Sequence, residues 1–375
     1  MSCFLSSVAE CLQALGVTGN HYYLLLWRNG MNHNVFTENP TVPVDVKKRS
    51  ISELLDGMLK TGFQGRKLAE SVQIWQNMLN ENNITVFMGL SGAMVPAGMR
   101  KVISYMIAKR MIDCLVSTGA NLFHDSHEAL GKKHYMGSHL ADDEKLFDYG
   151  LDRIYDVFAV EEEFRAADNL IADFAEEMGE ISCSSREFVY LLGKKLVVCG
   201  AAEDSIVVSA YRHNVPIFVP ALSDSSIGIG LTIARRRGLK LEVDQIKDVD
   251  EITQIVEKSG KTGVIYVGGG VPKNFIQQTE VIASILGINT CGHDYAIQYT
   301  SDSPHWGGLS GCTFDEAVSW GKIAAQAKKV QVFVDATIAL PIVAHSLYEK
   351  CHELKRNAPV FNWEGAEGLN IAYSE

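Results

Sequence analysis

The chain has no cysteines spaced as CxxC, no apolar run approaching the ~20 residues a bilayer-spanning helix needs, no Pro/Gly/Ser-rich linker and no internal repeat. Each absence excludes something. The eight cysteines (Cys3, Cys11, Cys114, Cys183, Cys199, Cys291, Cys312, Cys351) are scattered, some at the ends of apolar runs such as Leu196-Val197-Val198-Cys199. They are expected to be reduced thiols of a cytoplasmic protein, not a disulfide framework or a zinc site. Basic residues are outnumbered, 34 Lys+Arg against 45 Asp+Glu, for a net charge of −11. That balance disfavours nucleic acid and anionic membrane as partners and suits a cationic substrate. Residues 1–30 lack the basic region of a secretory signal, and the apolar run Tyr22-Tyr23-Leu24-Leu25-Leu26-Trp27 is short. Met31 can serve as initiator, which makes 1–30 an extension and 31–375 a single domain.

What is present is an α/β pattern. Short β-branched runs at 84–87, 114–117, 216–219, 263–267, 295–299 and 330–334 alternate with helical spacing at 51–80, 97–111, 160–178, 225–237 and 314–328. The alternation predicts a doubly wound, mostly parallel, Rossmann-like sheet with helices on both faces. Ligands of such sheets gather where strands end and helices begin. Here those places read Gly92-Ala93-Met94-Val95-Pro96, Thr118-Gly119-Ala120, Ala221-Leu222-Ser223-Asp224, Gly268-Gly269-Gly270 and Asp335-Ala336. Small residues admit a pyrophosphate close to the backbone, and helix N-termini favour its charge. Asp224 and Asp335 are placed to accept from ribose hydroxyls, although GxGxxG is absent. The same glycines also serve as plain turn-formers, and the same aspartates as helix caps.

The run Glu316-Ala317-Val318-Ser319-Trp320-Gly321-Lys322 carries the chemistry. On a continuous helix over 314–328, Lys322 projects about 160° away from Trp320 at roughly 100° per residue. The two meet only if the helix starts later or frays. Taken alone, such a lysine belongs to a solvated helix face. Together with the preceding Ser310-Gly311, the run resembles the signature of deoxyhypusine synthases. The likeness spans about residues 84–344 and takes in the turns at Ser91 and Ser117, Pro220 to Asp224, Gly268-Gly269-Gly270-Val271 and Val332-Phe333-Val334-Asp335-Ala336; it looks most like the bacterial deoxyhypusine synthase-like group.

The resemblance implies a homotetramer with tightly held NAD, lined by Gly92, Ala93, Met94, Val95, Pro96, Thr118, Gly119, Ala120, Asp224, Gly269, Ser301, Asp335 and Ala336. It implies aminobutyl transfer from spermidine or a related polyamine through an imine on Lys322. The acceptor is a small amine, as in homospermidine synthesis, or a translation-factor lysine. Lys322 must attack as the neutral amine, which a desolvated pocket walled by Trp320 favours. Trp320 also offers a cation–π surface, and Glu316 an ion-pair partner, unless Glu316 merely complements its helix dipole.

The amine-anchoring positions depart from the pattern. His124 and Ile229 stand where acidic residues are expected, Leu309 replaces an aspartate, and Asn274 a histidine. A buried ammonium left unpaired costs several kcal/mol, so a differently bound or different amine is expected. His305 and Trp306, with Gly307 and Gly308, are expected to shape the same pocket or simply pack a loop. His124, His127, His134 and His139 invite a zinc or iron reading with Asp125 or Glu128, but their spacing fits no strong ligand pattern. Substrate contact by His124 is preferred and no metal is expected. Two alternatives stay open: a plain NAD-dependent amine oxidoreductase, and a non-catalytic nucleotide-binding protein.

Overall fold

The computed structural model describes residues 37–288, 290–308, 310–351, 356–363 and 368–373. The chain divides at Pro43/Val44, and Val44–Glu375 forms one compact unit. Of the preceding unit, only residues 37–43 are described, so the expected extension at 1–30 and an initiator at Met31 lie outside the described residues.

Six parallel strands form the central sheet: β1 Ile84–Leu90, β2 Cys114–Ser117, β3 Ile217–Phe218, β4 Lys261–Val267, β5 His293–Thr300 and β6 Ile323–Phe333, in spatial order β6-β5-β4-β1-β2-β3. This is the doubly wound order in which the chain leaves β1 in one direction and later restarts beside it in the other. The two neighbouring connections then diverge and open a crevice at the carboxyl ends of β1 and β4.

Strand residues alternate between two buried layers. Ile84, Val86, Met88 and Leu90 point to one core, with Ile265, Val267, Ile297 and Val332. Phe87, Val116, Val264, Tyr266 and Ala296 point to the other. Helices Phe63–Asn80, Arg100–Ala108, Gly119–Ala129, Ser185–Val198 and Ala336–Cys351 cover the first face. Helices Gln245–Lys258, Gly270–Ile285 and Phe314–Ser319, with the hairpin Pro359–Asn362 and Asn370–Tyr373, cover the second. Burial on both faces is why the strands read as apolar runs. A small antiparallel sheet, Tyr135–Met136 with Val157–Val160 and Leu151–Ile154, is inserted after helix Gly119–Ala129.

Two expectations need correction. The helical stretch at 51–80 is two helices, Ile51–Met58 and Phe63–Asn80, separated at Gly62. More consequentially, the helix expected over 314–328 ends at Ser319. Gly321 turns with φ 69°, and residues 323–329, read as helical because they are rich in Ala, Gln and Lys, are the first part of β6. Pairing with β5 at Ile323, Lys328 and Lys329, on either side of a register shift between His293 and Tyr295, holds the stretch extended against its local helix preference.

Among the described residues no helix is long and apolar enough to cross a membrane, and the six described cysteines are free thiols.

Candidate active site

The crevice at the ends of β1 and β4 is built from backbone. Ser91 N–H donates to Val267 O at 3.0 Å, and Ser91 Oγ donates to Gly269 O, tying the two strand ends together. Gly92 and Gly270 have φ of 77° and 59°, values that favour glycine. Gly269 is extended, but a Cβ there would sit 2.0 Å from Ser310 O, so the loop before the lysine run rests on this glycine. Gly119 is equally confined: a Cβ would lie 2.2 Å from Ser225 Oγ. Asn121, which the sequence reading did not single out, locks the neighbouring turns together. Its Nδ2 donates to Gly92 O (2.9 Å) and Thr118 Oγ1 (3.2 Å), and its Oδ1 accepts from Val95 N (3.3 Å).

The residues expected to line NAD stand at the carboxyl ends of their strands: Gly92 to Pro96 after β1, Thr118 to Ala120 after β2, Gly269 after β4, Ser301 after β5, and Asp335 with Ala336 after β6. The two aspartates differ. Asp335 Oδ1 accepts from Thr337 N (2.8 Å) and Oγ1 (2.6 Å), so it caps its helix. Asp224 is exposed, bonds no described residue through its side chain, and leaves the next helix without a side-chain cap. For Asp224 the cap alternative is excluded. A cradle of confined glycines at the mouth of a crevice, with an uncommitted aspartate beside it, fits a dinucleotide.

The lysine lies on the second face of the sheet. Because the helix stops at Ser319 and Gly321 turns the chain, Lys322 folds back over its own Trp320, with Nζ 5.2 Å from the ring centroid. Lys322 is only 8% exposed, and its Nζ lies 3.5 Å from Asn274 Oδ1 on the helix that opens at Gly270. The expected Trp320 wall needs correction: the indole is 63% exposed and covers the lysine from one side only. Glu316 is exposed in the first turn of its helix, where Thr313 Oγ1 accepts from its N–H at 3.1 Å.

Sequence reasoning missed Lys273, whose neighbour Asn274 it did select. Lys273 is 2% exposed, and its ammonium donates to Gln298 Oε1 (3.0 Å) and Cys312 O (2.5 Å) between the rings of Tyr266 and Phe314. Burial above all, with the nearby charge of Lys322, pulls its pKa down to about 8 against the opposing pull of Cys312 and Glu316. Nothing in the pattern Val-Pro-Lys-Asn marks this lysine as interior; only the fold of the 310–314 loop encloses it.

The histidines divide. His139 stacks on Tyr155 (5.4 Å) and stands apart from the others. His124 Nδ1 lies 3.0 Å from His134 Nε2, and His134 Nδ1 lies 2.8 Å from Glu128 Oε1. Burial, reinforced by the other imidazoles, pushes His124 down to about 3 and His127 to about 4. Among the described residues no three His, Cys, Asp or Glu side chains are arranged to share an ion. Ile229 is 52% exposed although Gly228 and Gly230 beside it are buried. His305 and Trp306 sit on an exposed turn with Gly307, so they do not form a packed loop. Leu309 lies outside the described residues.

Fold and site thus define a doubly wound α/β protein with a glycine-lined crevice at the carboxyl ends of its central strands and an interior lysine beside it. The deoxyhypusine synthase family model matches residues 53–347. The chain is 85% identical over 345 residues to a probable deoxyhypusine synthase 2 of Methanosarcina mazei, covering 92% of this chain and all of that protein. It is 58% identical over 305 residues to the corresponding protein of Archaeoglobus fulgidus (81% and 99% covered). A deoxyhypusine synthase-like protein of Chlorobaculum tepidum is 38% identical over 340 residues (90% and 94%). The bacterial likeness read from sequence is therefore present, and the archaeal identities exceed it. Among solved structures, a putative deoxyhypusine synthase from Entamoeba histolytica shares the fold at TM-score 0.56 and 16% identity, covering 84% of this chain and 98% of that one. The chain belongs to the deoxyhypusine synthase family, a family of aminobutyl transferases.

Proposed function

We propose that this protein is an NAD-dependent transferase that moves an aminobutyl group from spermidine or a related polyamine, through an imine on Lys322, to an acceptor amine. The observation that carries the reading is the interior amine of Lys322, 8% exposed and directed at the helix that opens on the glycine cradle. Gly92 to Pro96, Thr118 to Ala120, Asp224, Gly269, Ser301, Asp335 and Ala336 would hold NAD, whose chemistry there is to accept a hydride from the carbon beside the donor's secondary amine and return it at the end. Lys322 attacks that oxidised carbon as a neutral amine, a C=N bond forms to its nitrogen, and the diamine fragment leaves. The acceptor amine then displaces Lys322 by the reverse exchange. Asn274 Oδ1 orients the Lys322 amine, while Trp320, Glu316, Gly307 and Gly308 line the entry for the polyamine. The acceptor is a small amine or a translation-factor lysine, and the working assembly a cytoplasmic homotetramer.

Borohydride added during turnover with NAD and spermidine should leave a reduced aminobutyl adduct on Lys322, located by peptide mass spectrometry. An unmodified Lys322 with NADH and aldehyde accumulating would instead mark a plain amine oxidoreductase. No turnover with any of a panel of diamines, triamines and protein acceptors would mark a nucleotide-binding protein without catalysis.

A further inference from the structure

Helix Gly270–Ile285 reaches Lys322 twice. At the tip of the side chain, Asn274 Oδ1 lies 3.5 Å from Nζ. At the backbone the contact is indirect: the carbonyl of Lys322 accepts from His293 N–H at 3.2 Å, where β5 begins. The sheet does little else to fix that end, because β6 advances from Ile323 to Lys328 while β5 advances only from His293 to Tyr295, and the regular ladder starts there. The seat of the lysine is therefore Gly292-His293. Gly292 has φ 84°, and a Cβ there would stand 2.6 Å from Ile323 C and 2.8 Å from Gly321 O, so the two segments meet backbone to backbone.

Glu280, further along the same helix, holds this seat. Its Oε2 accepts from Gly292 N–H at 3.2 Å, and its Oε1 lies 3.3 Å from His293 Nδ1, which also meets Thr262 Oγ1 at 2.9 Å. Glu280 is 3% exposed, and His293 is wholly buried against the ring of Phe87. Burial disfavours charge on both: it pushes Glu280 up to about 7, with Asp294 adding to the rise, and His293 down to about 3. A carboxyl in a core is costly unless its partners are in place, and an apolar side chain would fill the same space without that cost. The proposed transfer makes no chemical use of this carboxyl, so its burial calls for another account.

We propose that Glu280 and His293 are positioning residues for Lys322, a buried bracket that sets the strand end on which the lysine backbone rests and so aims Nζ at the oxidised donor carbon. The proposal rests on the reading of Lys322 as the amine-transfer lysine. Attack inside a bound complex is sensitive to displacements on the order of 1 Å. Where the lysine is displaced, water attacks the C=N carbon in its place. The bond from that carbon to the diamine nitrogen breaks, the water oxygen becomes an aldehyde oxygen, its two protons pass to the diamine nitrogen, and an aminoaldehyde leaves before the hydride is returned.

Glu280→Met fills the space and accepts no hydrogen bond. In the full chain with NAD and spermidine, the ratio of borohydride-trapped Lys322 adduct to released aminoaldehyde should fall about tenfold while NAD affinity is kept. Hydrogen exchange of the His293 amide, followed without NAD or amine, should quicken in the same variant. Glu280→Gln, whose Oε1 still accepts from Gly292, should return both readings to near their original values, which a general loss of packing would not. Thr262→Val loosens the bracket from a different strand and should lower the ratio about threefold. An unchanged ratio in folded Glu280→Met, or Glu280→Gln as impaired as Glu280→Met, overturns the proposal and leaves the transferase reading standing. Should Glu280→Met not fold, an unchanged ratio in Thr262→Val overturns it equally. Absence of any adduct in the unaltered protein sinks the transferase reading instead, and His293 exchange then still shows whether Glu280 holds the strand end.

Discussion

The two halves of the site are made of different material. The crevice at β1 and β4 is a backbone construction in which Gly119 and Gly269 let neighbouring segments pack closely, Gly92 turns with positive φ and Asn121 fixes the turns. The lysine pocket is a side-chain construction in which Lys322, Asn274, Trp320 and Lys273 meet across a short helix and a turn. A backbone cradle tolerates change in everything except its glycines. A side-chain pocket can be re-equipped one residue at a time, and Asn274 is the departing position that meets Lys322 directly, whereas His124 and Ile229 stand on helices of the opposite face.

The contrast is broken most forcefully by removing the nucleophile. Lys322→Ala should abolish the borohydride adduct and lower kcat at least about a thousandfold, while NAD affinity by calorimetry stays unchanged. Comparable loss of NAD binding would mean that the halves are not separable.

Gly269→Ala tests the cradle from the opposite side. Its Cβ would collide with Ser310 O at 2.0 Å, and neither partner is a flexible side chain. A loss of about 1–3 kcal/mol in denaturant unfolding is expected, with weakened NAD binding and impaired trapping, because the displaced loop leads into the lysine run. Full NAD affinity in this variant would show that the cradle is not used.

The two aspartates differ in that Asp335 is also committed to the fold. Asp335→Ala removes a cap that accepts from Thr337 and should cost about 1 kcal/mol of stability. Asp224→Ala, whose side chain bonds no described residue, should leave the melting temperature in place and weaken NAD binding only. Equal melting shifts in the two variants would contradict the geometry.

The smallest effect near neutral pH, growing as acid is added, concerns the histidines. His124 and His127 have folded-state pKa values of about 3 and about 4, below the ordinary imidazole value of 6.5, because burial disfavours the charged ring. Their contribution is fully present above about pH 6.5 and is lost as pH falls toward 4 and 3, where the unfolded chain binds protons that the folded chain refuses. Urea midpoints measured from pH 7.5 to 4 should fall, and His124→Gln should flatten that slope. An unaltered slope would argue against a buried neutral His124.

Much of this was legible in the chain itself. Five of the six strands, and the end of β6 from residue 330, fall on runs read as β-branched and apolar, because a strand buried on both faces needs such residues whatever its neighbours. The glycine turns were legible for a similar reason, since positive φ and close approach leave few alternatives. The stretch 323–329 was not legible. Its Ala, Gln and Lys residues prefer a helix locally, and pairing of its two ends with β5, 30 and more residues earlier, decides otherwise.

Sequence by itself determined the alternation of strand and helix, the small residues at the strand ends and the family to which Lys322 belongs, because these depend on local conformation and on residue type. The tertiary structure alone decided that Lys273 is interior, that the helix ends at Ser319 so that Lys322 folds back over Trp320, and that Glu128, His134 and His124 stand in hydrogen-bonding reach of one another. Each of these depends on which distant segments meet: desolvation and hydrogen-bonding reach are properties of the enclosure, and no single segment carries them.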